Sequence, residues 1–221
     1  MKINYYLRKI YLNVFFRSKL FSSLIFRANF TERHKDAYYF DITTLVLLKV
    51  LQKNIKKNDT LLDLGTGTSA LIAIEIKKKI GCKVIASDIN KNICILARKN
   101  IKFNNLKIKV YQSNFFKNIY QNFNIVSFNP PYVSTSLGKK ISLSKKFKSQ
   151  WDGGKNSDKV LKNFLKKLKK YDKRIVCYMG INRQHLDIKT IEQLIKKFKL
   201  NLIEVKKSNL FPVNVYVIKN T

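Results

Sequence analysis

Two closely spaced glycines follow an aliphatic run in residues 61–70, LLDLGTGTSA. This order predicts a buried strand, a tight turn and a helix, because Gly65 and Gly67 let the backbone turn and approach a ligand where a Cβ would stand in the way. Asp63 lies just before the turn and Asp88 further along, and both could bind hydroxyl or amino groups of a nucleotide. As G-x-G-x-x-A, the spacing fits a nicotinamide dinucleotide equally well, and Asp63 could instead merely cap the helix.

A second candidate site is the sequence Asn129-Pro130-Pro131-Tyr132, which follows another aliphatic run. The two prolines end the strand and fix the backbone, so that the Asn129 side chain and the Pro130 carbonyl point into the crevice at the strand ends. Two oxygen acceptors there can bind both hydrogens of a planar NH2 group, such as a glutamine amide or the exocyclic amine of adenine, and Tyr132 can stack on that group. A proline-rich turn without chemistry is the alternative.

The elements that must position these motifs alternate between short β-branched runs and helical periods, which predicts a parallel sheet with crossover helices. Strands are predicted at residues 60–64, 84–87, 108–112, 125–128, 174–179, 200–206 and 213–219. Helices are predicted at residues 42–53, 69–79, 90–103, 158–170 and 187–198. A short turn joins the last two strands and implies an antiparallel pair. The predicted fold class is α/β, a Rossmann-like, doubly wound, seven-stranded and mostly parallel sheet with the last strand antiparallel and helices on both faces.

Two basic stretches lie outside this pattern. Residues 1–30 contain six basic residues and no acidic one, which predicts a basic helical extension over 1–36 ahead of a single domain over 37–221. We expect the extension to pack on the domain or to help receive substrate, with a transit peptide for an organelle and a membrane-surface helix as alternatives. The stretch from residue 133 to about Ser157 has little periodicity, which predicts a functional loop, and within it residues 139–148, called the basic segment below, carry five lysines and no acid.

The composition of the 221 residues, 45% hydrophobic and 26% charged, is typical of a globular protein and excludes disordered, collagen-like and disulfide-stapled classes. No apolar run is long enough for a membrane-spanning helix, so no integral membrane association is expected. Three scattered cysteines without a CxxC pair, together with only two histidines, favour a reducing compartment such as the cytoplasm and argue against a metal site.

The net charge of +32 is unusual and suggests an acidic or polyanionic partner such as nucleic acid. However, 38 of the 45 basic residues are Lys, and Asn and Ile are abundant as well, as an AT-rich coding sequence would produce. The charge therefore supports a polyanionic partner without identifying one.

With both motifs in place, the sequence resembles the class I S-adenosylmethionine-dependent methyltransferases over residues 41–219, in particular the HemK-like and methyltransferase small domain group that carries an Asn-Pro-Pro-Tyr motif. The resemblance implies a methyltransferase with S-adenosyl-L-methionine as cofactor. It also implies a set of cofactor-binding residues: Asp63, Gly65, Thr66, Gly67, Asp88, Ile89, Asn114 and Phe115. Three positions depart from the family pattern, since Ser69 replaces a glycine and Asn114 and Asn124 each replace an aspartate. The amide oxygen of Asn114 can still accept a hydrogen bond from adenine.

The Asn-Pro-Pro-Tyr motif followed by Trp151-Asp152-Gly153-Gly154 is similar to the glutamine-N5 methyltransferases that modify translation release factors, especially their compact archaeal and eukaryotic branch. This resemblance implies catalytic roles for Asn129, Pro130 and Tyr132. It implies substrate contacts by Asn129, Pro131, Tyr132, Trp151 and Asp152, although Trp151 could instead anchor the loop. A release factor is therefore the expected substrate, and a monomer or a heterodimer with a small zinc-binding activator subunit is the expected assembly.

Two alternatives remain open for the function. Residues 40–44, Phe-Asp-Ile-Thr-Thr, resemble the broader methyltransferase small domain group, which includes ribosomal and transfer RNA methylases. An RNA N6-adenine methyltransferase is therefore the first alternative, and the lysines of the basic segment would suit RNA. The second is a non-catalytic, methyltransferase-like module that binds RNA or protein; the two Asn replacements leave room for it, whereas Asp63, Asp88 and Asn129 argue against it.

Overall fold

A seven-stranded sheet forms the centre of the molecule, a computed structural model in which residues 26–30, 40–171 and 174–220 are described. This part of the chain has nine strands: β1 (Thr60–Leu64), β2 (Lys83–Asp88), β3 (Lys109–Gln112), β4 (Ile125–Phe128), β5 (Val133–Ser134), β6 (Asp152–Gly154), β7 (Val176–Asn182), β8 (Asn201–Lys207) and β9 (Val213–Lys219). It has six α-helices: α1 (Ile42–Asn54), α2 (Leu71–Ile80), α3 (Lys91–Phe103), α4 (Thr135–Lys140), α5 (Lys159–Lys169) and α6 (Ile188–Lys197). The two short strands β5 and β6 pair separately from the large sheet.

The strand order in the large sheet is β3-β2-β1-β4-β7-β9-β8. Six strands run in the same direction, and β9 alone is reversed, so that it pairs antiparallel with both β7 and β8. This arrangement confirms the predicted Rossmann-like sheet with a reversed last strand. Because β1 lies between β2 and β4, Leu64 at its end is paired with both Ser87 and Phe128. The carboxyl ends of these three strands therefore meet at one edge, which is where doubly wound sheets bind their ligands.

Successive residues of the central strands alternate between two hydrophobic cores, so the sheet is buried on both faces. Leu61 belongs to the core under α1, α2 and α3, whereas Leu62 belongs to the core under α5 and α6. The same alternation separates Val215 from Tyr216 in β9. The prediction of helices on both faces is confirmed.

Residues 26–30, the described end of the N-terminal stretch, pack on the first of these cores. Phe26, Ala28 and Phe30 are buried there. The Ala28 N–H donates to Glu75 Oε1 at 2.7 Å, and the Asn29 N–H donates to Asn104 Oδ1 at 2.9 Å. The predicted basic helix before residue 26 lies outside the described residues, and the domain boundary at residue 37 stays a prediction.

Residues 133–154 differ from the predicted loop, because short regular elements occupy much of this stretch: β5, α4, a 3-10 turn at Lys148–Gln150 and β6. Ser134 caps α4 by accepting from the Leu137 N–H at 3.3 Å. The Val133 N–H donates to the Trp151 carbonyl at 2.9 Å and ties the two ends together. None of these elements exceeds six residues, which is too short for a hydrophobic period to be visible in the sequence.

Most element boundaries differ from the prediction by one to three residues, and two of the differences have a clear physical reason. The helix α2 begins at Leu71 rather than at residue 69, because Ala70 adopts a left-handed φ of 49°. The strand β7 continues to Asn182 rather than ending at residue 179, because β9 pairs with it as far as Val213.

Candidate active site

The turn after β1 has the left-handed backbone that its glycines predict. Gly65 and Gly67 have φ values of +67° and +69°, where side chains other than glycine are strained. Gly65 also lies against the Phe128 ring, which would be 3.3 Å from a Cβ at that position. The Thr66 N–H donates to the Ser87 carbonyl at 2.9 Å, so this glycine turn (residues 65–69) is fastened to the end of β2.

Asp63 is buried beneath the glycine turn, and each of its carboxylate oxygens accepts a hydrogen bond. Thr66 Oγ1 donates to Oδ2 at 2.6 Å, and Ser127 Oγ donates to Oδ1 at 2.9 Å. Burial raises the pKa of Asp63 to about 6, although the two hydroxyl donors favour the ionised form. The carboxylate thus joins the turn to β4, and its predicted direct contact with a cofactor stays a prediction.

Asp88 ends β2 and closes the other side of the glycine turn. Its Oδ2 accepts from the Gly67 N–H at 3.4 Å, and its Oδ1 accepts from the Asn90 N–H at 3.0 Å. Burial raises the pKa of Asp88 to about 6 as well. The next side chain, Ile89, is 53% exposed and offers an apolar surface beside the carboxylate.

The turn after β3 lies at the same edge of the sheet. The Ser113 N–H donates to the Asp88 carbonyl at 2.9 Å and ties this turn to the end of β2. Asn114 is exposed, while Phe115 has a left-handed φ of 55°. The Phe115 ring meets the Phe128 ring edge-on, with centroids 6.2 Å apart. The residues predicted to bind the cofactor therefore come together around the ends of β1, β2 and β3.

Asn129 holds its carboxamide in one orientation at the end of β4. Its Nδ2 donates to Asp41 Oδ1 and to Thr44 Oγ1, both at 3.0 Å. Its Oδ1 is buried and has no hydrogen-bond partner. A buried acceptor without a donor is costly, so this oxygen marks the place where a ligand's N–H or O–H group would be stabilised. Residues 129–132 are called the acceptor corner below.

Tyr132 is buried in the acceptor corner, where its ring packs beside His185 with centroids 5.5 Å apart. Its hydroxyl is 2.5 Å from Thr43 Oγ1 and donates to Asp41 Oδ2 at 3.2 Å. Burial, together with the Asp41 carboxylate, raises the pKa of Tyr132 well above its usual value and keeps the hydroxyl protonated. The structure therefore links Tyr132 to α1, and its predicted stacking on a substrate stays a prediction. Pro130 is buried and Pro131 is half-buried beside it.

Trp151 and Asp152 direct their polar groups into the stretch that contains the basic segment. Trp151 Nε1 donates to the Ser144 carbonyl at 2.9 Å, and the indole ring covers Gly138, where a Cβ would lie 2.1 Å from it. Asp152 accepts from Thr135 Oγ1 at 2.6 Å and pairs with Lys148 at 3.1 Å. Burial alone would raise the pKa of Asp152, but these partners outweigh burial and lower it. Both side chains act as anchors here, and their predicted substrate contacts stay predictions.

Gly153 explains why the Trp-Asp-Gly-Gly sequence lies beside the acceptor corner. A Cβ on Gly153 would be 2.8 Å from the Tyr132 Cα and 2.5 Å from the Ser157 carbonyl oxygen. These neighbours are backbone atoms, which cannot swing aside as a side chain can. The absence of a Cβ on Gly153 therefore lets β6 pack directly against the backbone of Tyr132 in the acceptor corner.

Four functional candidates are absent from the sequence-based prediction: Asp41, Thr44, Ser127 and Gln150. Asp41 is the N-cap of α1, with Thr44 three residues later, and this capping signature was the available signal. Gln150 Nε2 would lie 3.6 Å from a Cβ on Gly67, and Phe147 packs on Ile93 of α3. Gln150, two residues beyond the basic segment, thus lies against the glycine turn, which no local pattern indicated.

The described residues include no group of three or more His, Cys, Asp or Glu side chains that could hold a metal ion. Cys82, Cys94 and Cys177 are buried and free. Within the same described ranges, the helices are all too short or too polar to cross a membrane.

Comparison with named proteins identifies the family. Residues 37–149 match the methyltransferase small domain family. A protein of Methanocaldococcus jannaschii, provisionally named a protein N5-glutamine methyltransferase, is 36% identical over 141 residues, which are 64% of this chain and 69% of that protein. The release factor glutamine methyltransferase of Streptococcus pneumoniae is 34% identical over 95 residues, and the match covers 43% of this chain and only 34% of that protein.

Solved structures share the fold. A methyltransferase from Pyrococcus furiosus, 17% identical, superposes with a TM-score of 0.66 over 98% of this chain and 97% of that one. The catalytic domain of human Mettl16, solved with hairpin 6 of the MAT2A 3′UTR, is 12% identical and superposes with a TM-score of 0.68 over 91% of this chain and 78% of that one. The family match decides against the nicotinamide enzyme that the glycine spacing left open. The chain therefore belongs to the methyltransferase small domain family of S-adenosylmethionine-dependent methyltransferases.

Proposed function

We propose that this protein transfers a methyl group from S-adenosylmethionine to a planar NH2 nitrogen, with glutamine-N5 of a translation release factor as the favoured substrate. The observation that carries this proposal is the Asn129 side chain. Its NH2 group is fixed by two acceptors of the protein, and its oxygen is buried and unpaired at the edge where the cofactor turn lies.

The residues around the glycine turn suit S-adenosylmethionine. The left-handed backbone at Gly65 and Gly67 gives a surface without Cβ atoms, on which the methionine part would lie. The Asp88 carboxylate would accept from the ribose hydroxyls, and the exposed Ile89 would pack on the adenine ring. When bound, the cofactor supplies an electrophilic methyl group on a sulfonium.

At the acceptor corner, Asn129 Oδ1 and the Pro130 carbonyl would each accept one N–H of the target. An amide nitrogen is a poor nucleophile because its lone pair is delocalised into the carbonyl. Holding both hydrogens favours a pyramidal nitrogen, whose lone pair then faces the methyl group. The N–H proton becomes acidic once the nitrogen carries the methyl group and can pass to water, so the chain's contribution is positioning and electrostatic stabilisation.

A release factor is favoured over RNA by the names of the two relatives, both of which refer to glutamine methylation. An RNA adenine is the second candidate, because Lys139, Lys140 and Lys145 of the basic segment are exposed. The same proposal includes a basic helical extension over residues 1–36, which packs on the domain or helps to receive substrate, and a methyltransferase domain over residues 37–221. It also includes a monomer or a heterodimer with a small zinc-binding activator subunit as the assembly.

The proposal predicts that Asn129→Ala lowers kcat by about 1000-fold, as loss of a preorganised polar group in an active site does. Binding of S-adenosylhomocysteine, measured by calorimetry, should stay within about threefold, because Asn129 faces the substrate. Asn163→Ala on the exposed face of α5 is the matched control and should change neither quantity. A non-catalytic binding module is instead indicated if wild-type protein transfers no methyl group.

The substrate class can be decided with tritiated S-adenosylmethionine and a cell extract. After labelling, one portion is digested with protease and another with ribonuclease. Label that survives ribonuclease and is lost with protease supports the release factor, and acid hydrolysis should then yield labelled methylamine from the amide. The opposite pattern would replace glutamine with an RNA amine as the acceptor.

A further inference from the structure

We propose that Asp41 is a positioning residue that turns the Asn129 carboxamide so that its oxygen, and not its NH2 group, faces the substrate. This inference rests on the proposed function, because an acceptor is what a substrate NH2 group requires. It assigns a second task to a residue whose place in the sequence indicates only a helix N-cap.

Asp41 joins two structures that are far apart in the sequence. Its Oδ1 caps α1 by accepting from the Thr44 N–H at 2.7 Å and from Thr44 Oγ1 at 2.8 Å. The same oxygen accepts from Asn129 Nδ2 at 3.0 Å, across 88 positions of the chain. Its Oδ2 accepts from the Tyr132 hydroxyl at 3.2 Å. One carboxylate therefore holds the first and the last residue of the acceptor corner.

The chemistry of these partners leaves Asn129 a single orientation. An ionised carboxylate has acceptors only, so an amide turned by 180° would set two oxygens about 3 Å apart with no hydrogen between them. The Thr44 hydroxyl cannot donate to a turned Asn129 oxygen, because its proton is already directed at Asp41. Only its lone pairs remain for Asn129, and these accept from the NH2 group. The NH2 group must face α1, and the oxygen consequently faces away from it.

The chain contains a matched control for this inference. Asp187 begins α6 with the same cap, accepting from the Thr190 N–H at 2.9 Å and from Thr190 Oγ1 at 2.6 Å. It is exposed, and its carboxylate is not bonded to an asparagine side chain of the described structure. Since Ser caps helices about as well as Asp, Asp→Ser at either position preserves the cap, while the shorter side chain at position 41 no longer reaches Asn129 or Tyr132.

The first test compares Asp41→Ser with Asp187→Ser in the full chain. We expect Asp41→Ser to lower kcat on the order of 30-fold, because the amide loses its fixed orientation, with S-adenosylhomocysteine affinity close to wild type. Asp187→Ser should behave like wild type. In the Asn129→Ala background, Asp41→Ser should cause no further loss, because its effect passes through Asn129. An equal loss in both backgrounds would show a merely structural role and overturn the inference.

The second test needs no activity and so separates this inference from the proposed function. In ¹⁵N-labelled protein, the Asn129 side-chain NH2 signals are identified by their absence in Asn129→Ala. Their hydrogen exchange should accelerate about tenfold or more in Asp41→Ser and stay unchanged in Asp187→Ser. If wild-type protein methylates no NH2 group, the proposed function fails. If exchange in Asp41→Ser is unchanged, the positioning role of Asp41 fails.

Discussion

We call the glycine turn the donor side, because it would hold the methyl donor, and the acceptor corner the acceptor side, because it would hold the methyl acceptor. The two sides differ in how their polar groups are hydrogen-bonded within the chain. Around the glycine turn, every carboxylate oxygen has a donor within the chain: Asp63 accepts from two hydroxyls, and Asp88 accepts from two backbone N–H groups. In the acceptor corner, Asn129 donates twice and leaves its oxygen buried without a partner.

This difference teaches what each side contributes. The glycine turn is held by internal hydrogen bonds, so its shape is complete before a ligand arrives. The acceptor corner keeps one hydrogen bond unmade, at a cost of about 1–3 kcal/mol that a substrate N–H would relieve. The donor side thus provides a preformed surface for the cofactor. The acceptor side instead provides the Asn129 side-chain oxygen, which is fixed in direction and can accept a hydrogen bond from the substrate.

Gly153→Ala should break the acceptor side and spare the donor side. The added Cβ would collide with the backbone of Tyr132 and Ser157, so the corner must shift. We expect kcat to fall by about 100-fold, as misplacement by about 1 Å does, while S-adenosylhomocysteine affinity stays within about threefold. Gly81→Ala is the control for backbone strain alone: its φ of +78° disfavours Ala, but a Cβ there meets nothing within 4 Å and Gly81 lies at the far end of α2, so Tm should fall while kcat and affinity stay unchanged. Equal losses of affinity and kcat would mean that the two sides are not separable.

Lowering the pH should weaken the donor side through Asp88. Because its pKa is raised to about 6, the carboxylate takes up a proton as the pH falls from 7.5 to 5 and loses acceptors for the ribose. We expect calorimetry to show about tenfold weaker S-adenosylhomocysteine binding over this range, and a smaller pH dependence in Asp88→Asn, in which only Asp63, whose pKa is also raised to about 6, still titrates at the glycine turn.

The free energy of unfolding should change in the opposite direction. Protonation of Asp88 weakens ligand binding but stabilises the folded protein. The folded pKa of Asp88 lies above the unfolded value near 3.8, so the folded state binds more protons between these two values. The contribution of Asp88 to the free energy of unfolding therefore increases as the pH falls through 6 towards 4. Thermal unfolding of wild type against Asp88→Asn isolates it, and a contribution that decreases on acidification would contradict the burial described here.

Trp151→Phe should change kcat the least of these variants. It tests whether Trp151 anchors the basic segment or contacts the substrate. The variant loses the hydrogen bond from Trp151 Nε1 to the Ser144 carbonyl, which lowers the free energy of unfolding by about 1 kcal/mol. We expect the basic segment, which contains Ser144, to be held less tightly as a result. Trypsin should then cleave faster near Lys145, as followed by mass spectrometry, with kcat changed by about threefold or less. A loss of kcat as large as that of Gly153→Ala would instead place Trp151 in contact with substrate.

Much of the fold could be predicted because its signals are local. Glycine at a left-handed turn, proline after a strand and the hydrophobic period of a long helix each depend on a few neighbouring residues, so β1 and β9 were predicted to the residue. The short elements between β5 and β6 could not be predicted, because they are stabilised by partners such as Gly138 beneath Trp151 and not by a repeating pattern.

The sequence by itself determined the sheet, the glycine turn and the rigid Asn-Pro-Pro-Tyr backbone, since steric limits on φ and ψ act within a few residues. Only the tertiary structure decided what the side chains do there. Gly180 in β7 leaves room for Thr43, whose Cγ2 would be 2.8 Å from a Cβ, and so lets α1 approach the sheet. That approach brings Asp41 to Asn129 and buries Tyr132. The orientation of one amide depends on a carboxylate 88 residues away, because hydrogen bonds depend on distance in space and not along the chain.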